Sequence, residues 1–150
     1  MFQHIWTILA KKSHIDQDTN NLIIGEVVEE IQITLPKEAK AAFEAEIEKN
    51  KMSHLPMEFE VLSYFVVDEL KEKSEVSIEL ELPNGHTFEM IRYTLNEAKN
   101  GRMRGRIRCP KLPFSRAGVN HFKLYDVSNK NKKLLTDIPL YIKLSFEDRT

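Results

Sequence analysis

Four arginines at every second position, Arg102, Arg104, Arg106 and Arg108, are the residues of this chain whose type and spacing most directly suggest chemistry. In an extended strand alternate side chains point the same way, about 6.6 Å apart. The four guanidiniums would then line one face, with Met103, Gly105, Ile107 and Cys109 turned inward. Like charges in a row repel, so something must neutralise them. Two solutions are open. Carboxylates of a neighbouring strand could do it, with Glu79, Glu81 and Glu89 as candidates, or an external polyanion could be gripped bidentately. Internal pairing plus solvent is the simpler expectation. Only Phe114 supplies an aromatic ring close in sequence, which gives single-stranded nucleic acid little support.

Other chemistries find less footing. The sequence holds no nucleophile elbow, no phosphate-cradling glycine loop and no paired-histidine metal motif. His14, His54, His86 and His121 are scattered singly, and His4 reads as a satisfied histidine at a strand end. Cys109 is alone, so no internal disulfide can form and a reducing compartment fits best. Asp16, Asp18 and Asn20 match the first three ligand positions of a calcium loop. The match then fails, because Asn21 stands where glycine is needed and Val27 where a bidentate glutamate is needed. The expectation is a protein with no catalytic residue, no cofactor and no metal, and therefore not an enzyme.

The elements that must position the arginines are mostly strands. Val76, Ile78, Leu80 and Leu82 alternate with Ser77, Glu79 and Glu81, and Phe88 and Met90 continue the period after Pro83, Asn84 and Gly85. A three-residue loop with Gly85 left-handed sets Leu82 opposite His86, Leu80 opposite Phe88 and Ile78 opposite Met90, keeping the apolar set on one face. Residues 2–14 read as one strand, with Phe2, His4, Trp6, Ile8 and Ala10 sharing a face and Ile5 and Leu9 the other. Residues 22–33 read as a second, where Gly25 marks a bulge or a close backbone approach. Residues 57–68 form a strong strand, with Phe59, Val61, Ser63, Phe65 and Val67 on one face and Leu62, Tyr64 and Val66 on the other. Residues 69–74 and 96–100 read as connections, 119–127 and 138–144 as closing strands, and 146–150 as a tail; Pro139 belongs near a strand start or on an edge.

One segment breaks the pattern. Leu35, Ala39, Phe43 and Ile47 recur at i+4, predicting an amphipathic helix near residues 37–50, with Thr34 as its cap and Pro36 in its first turn. Such a helix covers a sheet edge or caps one end of a core.

A chain of 150 residues with 41% hydrophobic and 30% charged residues is most simply a single domain, residues 1–150, that buries roughly 70% of its unfolded surface. No apolar run approaches the ~20 residues of a membrane span. In the first fifteen residues the lysines follow the apolar segment, the reverse of a secretory signal, so a soluble cytoplasmic protein is expected. The net charge of −1 is unevenly placed. Residues 1–75 carry 8 basic against 15 acidic residues, −7, and residues 76–150 carry 14 against 8, +6. Either the two halves form neighbouring strands whose charges face each other, or the second half offers a basic surface.

About eight strands and one inserted helix predict a mainly β fold, an antiparallel β-sandwich of Ig-like or C2-like topology. The segment Asn21–Gly25, the central hairpin, the basic strand leading into a proline-containing loop, Gly118 with Phe122 and Leu124, and the terminal Pro139–Ile142 together resemble an uncharacterised bacterial family of small β-sandwich domains of unknown function. The resemblance implies a fold and brings no activity, cofactor or catalytic residue. The functional expectation is a non-enzymatic interaction module that pairs with itself or another protein through an edge strand or the 37–50 helix. The alternative is a polyanion or nucleic-acid binder acting through Arg102, Arg104, Arg106 and Arg108.

Overall fold

The computed structural model describes residues 2–68, 73–95 and 99–148; most of the connection expected at 69–74, part of that at 96–100 and the chain end at 149–150 lie outside the described residues. In chain order the strands are β1 (Phe2–Ala10), β2 (Ser13–Ile15), β3 (Leu22–Ile24) and β4 (Glu30–Pro36). A single α-helix, α1 (Lys40–Asn50), follows. Then come β5 (Ser53–Leu55), β6 (Phe59–Val67), β7 (Ser74–Glu81), β8 (Thr87–Leu95), β9 (Arg102–Cys109), β10 (Leu112–Phe114), β11 (Gly118–Asp126) and β12 (Lys133–Glu147). The fold is mainly β, with several sheets and a curled, half-barrel arrangement. One principal sheet has the order β1-β6-β9, the other β4-β12-β11-β7-β8, and β10-β5 and β2-β3 form short ribbons.

The alternation in β6 and β7 dictates how the principal sheets meet. Phe59, Val61, Phe65 and Val67 of β6 join Val76, Ile78 and Leu80 of β7 and Phe122 and Leu124 of β11 in one core, all of them buried. Phe59 meets Phe122 edge to face, with ring centroids 5.6 Å apart. Burying each such side chain contributes about 1.5–3 kcal/mol, so this shared interior is the main source of stability. The helix caps one end of it, where the Phe43 ring lies 5.7 Å from that of Phe114.

The predicted β7–β8 turn forms. Gly85 is left-handed at φ 86°, its N–H reaches the Leu82 carbonyl, and Leu80 faces Phe88. Beyond that the register departs from expectation. Ile78 faces Ile91 rather than Met90, because an extra residue on β8 makes a bulge that turns Tyr93 toward the core side. A second bulge corrects the reading of β1. His4 pairs with Phe65 and Trp6 with Tyr64, so Ile5 is the extra residue and stands 43% exposed. Phe2 and His4 therefore face the side of Phe65 and Val67, while Trp6, Ile8 and Ala10 face the opposite side, which alternation alone would have merged.

Other expectations are corrected by pairings distant in sequence. The single strand expected at 2–14 is β1 plus β2, and that at 22–33 is β3 plus the start of β4, since the first segment leaves the β1-β6-β9 sheet for the ribbon and the second passes from the ribbon into the other principal sheet. Gly25 does mark a close approach: its N–H bonds the Lys12 carbonyl at 2.9 Å. The sheet is not wholly antiparallel, because β4 runs parallel to β12. That pairing holds the backbone extended through Pro36, so Thr34 is not a helix cap. Its hydroxyl meets Ser145 instead, and α1 has no side-chain cap. The tail expected from 146 continues β12 to Glu147, and Pro139 lies mid-strand rather than near its start. There it is tolerated because β4 flanks β12 only from Tyr141 onward.

Two expected outcomes test this packing. A Cβ at Gly105 would come 2.7 Å from the Tyr93 hydroxyl, which burial has pushed up to a pKa of about 12. Gly105→Ala should destabilise by about 1–3 kcal/mol in urea unfolding, and Tyr93→Phe should relieve part of that loss in the double variant. His4 Nε2 lies 2.7 Å from Thr7 Oγ1, itself 2.8 Å from Ser63 Oγ, and burial holds the imidazole below its usual 6.5 against the opposing backbone hydrogen bond at Trp6. A depressed histidine favours the neutral fold, so its contribution is whole above pH 6.5 and lost as pH falls through the folded value. Stability measured from pH 7.5 down to pH 5 should fall less steeply in His4→Gln than in the parent chain.

Candidate functional site

The arginine row forms as its spacing predicts. β9 pairs antiparallel with β6, placing Arg102 opposite Val66, Arg104 opposite Tyr64, Arg106 opposite Leu62 and Arg108 opposite Glu60. Since β6 gives Phe59, Val61, Ser63, Phe65 and Val67 to the core side, all four arginines stand on the outer face. The strand brings them together as one row, and the chain distributes their work unequally.

The carboxylates first considered as their partners are elsewhere. Glu79 binds Lys132 at 2.7 Å, Glu81 binds Lys123, and Glu89 binds Arg92 and the Ser77 hydroxyl, all on the other principal sheet. Register explains this: β7 lies between β8 and β11, so its outward glutamates meet the lysines of β11 and of the turn beyond it. The arginines find Glu58 and Glu60 instead. Arg108 Nε lies 3.8 Å from both, and Arg106 Nη2 lies 4.0 Å from Glu60. Glu60 is buried, 4% exposed, and its second carboxylate oxygen has no hydrogen-bond partner among the described residues.

The β2–β3 ribbon folds back over this face as a roof. Arg106 donates through Nε to the Ser13 hydroxyl at 3.1 Å and through Nη2 to the Ser13 carbonyl at 2.9 Å, and Arg104 donates to the Asn20 carbonyl. The roof's tip is internally closed. Asp16 Oδ1 accepts from the Asp18 and Thr19 amides at 2.8 and 2.9 Å, and those bonds hold its carboxyl below the usual range. The segment that resembled a calcium loop therefore bends its first carboxylate back onto its own backbone.

Between roof and sheet lies an open cleft of about 1000 Å³, lined by Arg102, Arg104 and Arg106, by Trp6 and Tyr64, and by Thr19, Asn20, Asn21 and Leu22 of the roof. Trp6 and Tyr64 stack, with ring centroids 5.8 Å apart and 18° between planes. Registers across three strands place Trp6, Tyr64 and Arg104 in one row. Sequence reasoning found the arginines and missed these aromatics, counting only Phe114 nearby. The available signal was Tyr64 on the non-core face of β6; Trp6 could not be added without knowing the bulge at Ile5. The cleft can bind negative charge and offer flat rings, and it holds no evident nucleophile–base pair. Among the described residues no group of three acidic, histidine or cysteine side chains could hold a metal. Cys109 is buried, and burial pushes its thiol up to about 11, so it is a core residue rather than a reactive one.

No protein-family model matches this chain, and no curated protein matches it in sequence.

The roof depends on Arg106. Arg106→Ser should raise hydrogen exchange of the amides in residues 13–24 by about tenfold while leaving β7 and β11 protected, because its two hydrogen bonds to Ser13, of roughly 1 kcal/mol each, are lost there.

Proposed function

We propose that this chain is a non-enzymatic binding module, a β-sandwich of Ig-like or C2-like type, that takes an anionic ligand in the cleft beneath the β2–β3 ribbon. One observation carries the reading: the cleft's lining contains three arginines and, among the described residues, no carboxylate. Guanidiniums along one wall supply several donors each, and carbonyls of the roof use only some of them. Arg102 lines the same cleft as Arg104 and Arg106 and has no hydrogen-bond or ion-pair partner among the described residues. Charge complementarity then favours phosphate or sulfate groups, which arginine binds bidentately.

Association through the 37–50 helix is less well supported. Phe43 and Ile47, its larger apolar residues, already pack toward the core. Pairing with a partner strand has as its support only that β1, β4, β8 and β9 end their sheets.

The net charge of −1 makes the test selective, since bulk attraction to a polyanion is absent. The chain should be retained on heparin at low salt and eluted as salt rises, with log affinity falling against log salt at a slope of roughly −2 to −3 for three contacts. Arg102→Ser should lower that slope by about 1 without loss of stability. A parent chain that passes through unretained would end the proposal.

A further inference from the structure

Resting on that reading, we infer that the anion is a nucleic acid, and specifically a short single strand whose bases enter the cleft. Charge alone would serve a sulfated sugar as well as a phosphodiester. The aromatic floor distinguishes them. Trp6 and Tyr64 line the same cleft as the three arginines, and the Trp6–Tyr64–Arg104 row sets ring surface and guanidinium side by side across the sheet. Every base has a π face to lay on such a ring, whereas a densely sulfated sugar carries charged groups on most of the positions that would otherwise present C–H faces to it.

The shape of the cationic wall argues for a chain over a single phosphate. Arg102, Arg104 and Arg106 lie along one strand at successive outward positions, about 6.6 Å apart, and do not converge on a point. Such a row tracks a backbone with one phosphate after another. An intact duplex would keep its bases stacked on one another and away from the rings, so the geometry selects an unpaired strand. The roof contributes Asn21 and Thr19, whose side chains can meet base edges without demanding one sequence. Binding of this kind is tolerant of sequence, salt-dependent and limited to the few nucleotides that fit a cleft of about 1000 Å³.

The chain has one tryptophan, so its fluorescence reports this site alone. The full chain is titrated at low salt with a ten-nucleotide single strand of uridines, with an abasic sugar-phosphate strand of equal length, with a duplex and with a heparin hexasaccharide. The single strand should quench Trp6 emission and bind about tenfold more tightly than the abasic strand, the margin expected for stacking of a base. Trp6→Leu should cut that margin to about threefold or less, Tyr64 being the ring that remains. Equal affinity for strands with and without bases, unaltered emission, or preference for the duplex or the hexasaccharide would overturn the inference while leaving anion binding intact. If none of the four binds, the anion-binding reading falls with it. The comparison of the two strands uses the unmutated chain, so it decides the matter even where a Trp6 variant fails to fold.

Discussion

β6 is covered on both faces along its first half, and the rest of the structure answers to that constraint. Phe59 and Val61 face the core, but Glu60 and Leu62, which face outward, are also buried. A strand whose outer face leaves water needs cover. After β1 the chain leaves the sheet and folds back as the β2–β3 ribbon, over the arginine row. A two-stranded ribbon is marginal alone. It has to be tied down, and Arg104 and Arg106 tie it through the carbonyls of Asn20 and Ser13. Part of the arginine row thus anchors the ribbon to the sheet.

The lid stops short, and the cleft is where it stops. Along β6 burial is complete from Phe59 to Ser63, and then Tyr64 and Val66 turn half-exposed on the outer side. Arg108 stands at the covered end, beside Glu58 and Glu60; Arg102 stands at the open end, opposite Val66. The same repeated residue therefore passes from carboxylate neighbour, through clamp on the roof, to open cation within one strand. A row serving only to blunt a sheet edge would need no roof over it and no rings beside it.

Local patterns in the sequence made the faces legible. The alternation of β6 and β7, the left-handed Gly85 and the pairing of Leu80 with Phe88 all follow from period and turn chemistry within a few residues. What stayed hidden depends on partners far along the chain. A bulge adds one residue without changing composition, so nothing in the apolar run from Phe2 to Ala10 announces that Ile5 is the extra one. Which carboxylate meets which cation depends on strand order, and Glu79 and Glu81 are adjacent to β11, not to β9. Thr34 and Pro36 carry sound helix-start chemistry, but the parallel pairing with β12 overrides it. The site was half visible for the same reason: its arginines lie on one strand, while its aromatic floor comes from two others.

The division of charge between the halves of the chain is met only in part by these pairings. Lys143 meets Glu30 at 2.7 Å, and Arg108 lies near Glu58 and Glu60, so some acidic residues of the first half face basic residues of the second, while Glu79, Glu81 and Glu89 pair with cations of their own half. Pairs this exposed contribute little stability, typically below 1 kcal/mol. Glu60 differs because it is buried, and with contacts of 3.8 and 4.0 Å the nearby guanidiniums offset its charge without forming close hydrogen bonds. A buried carboxylate held this loosely requires cations nearby whatever the outer surface binds. That requirement accounts for Arg106 and Arg108 and leaves Arg102 unexplained. It stands opposite Val66 with no hydrogen-bond or ion-pair partner among the described residues, and an anion lying along the cleft would offset its repulsion from Arg104.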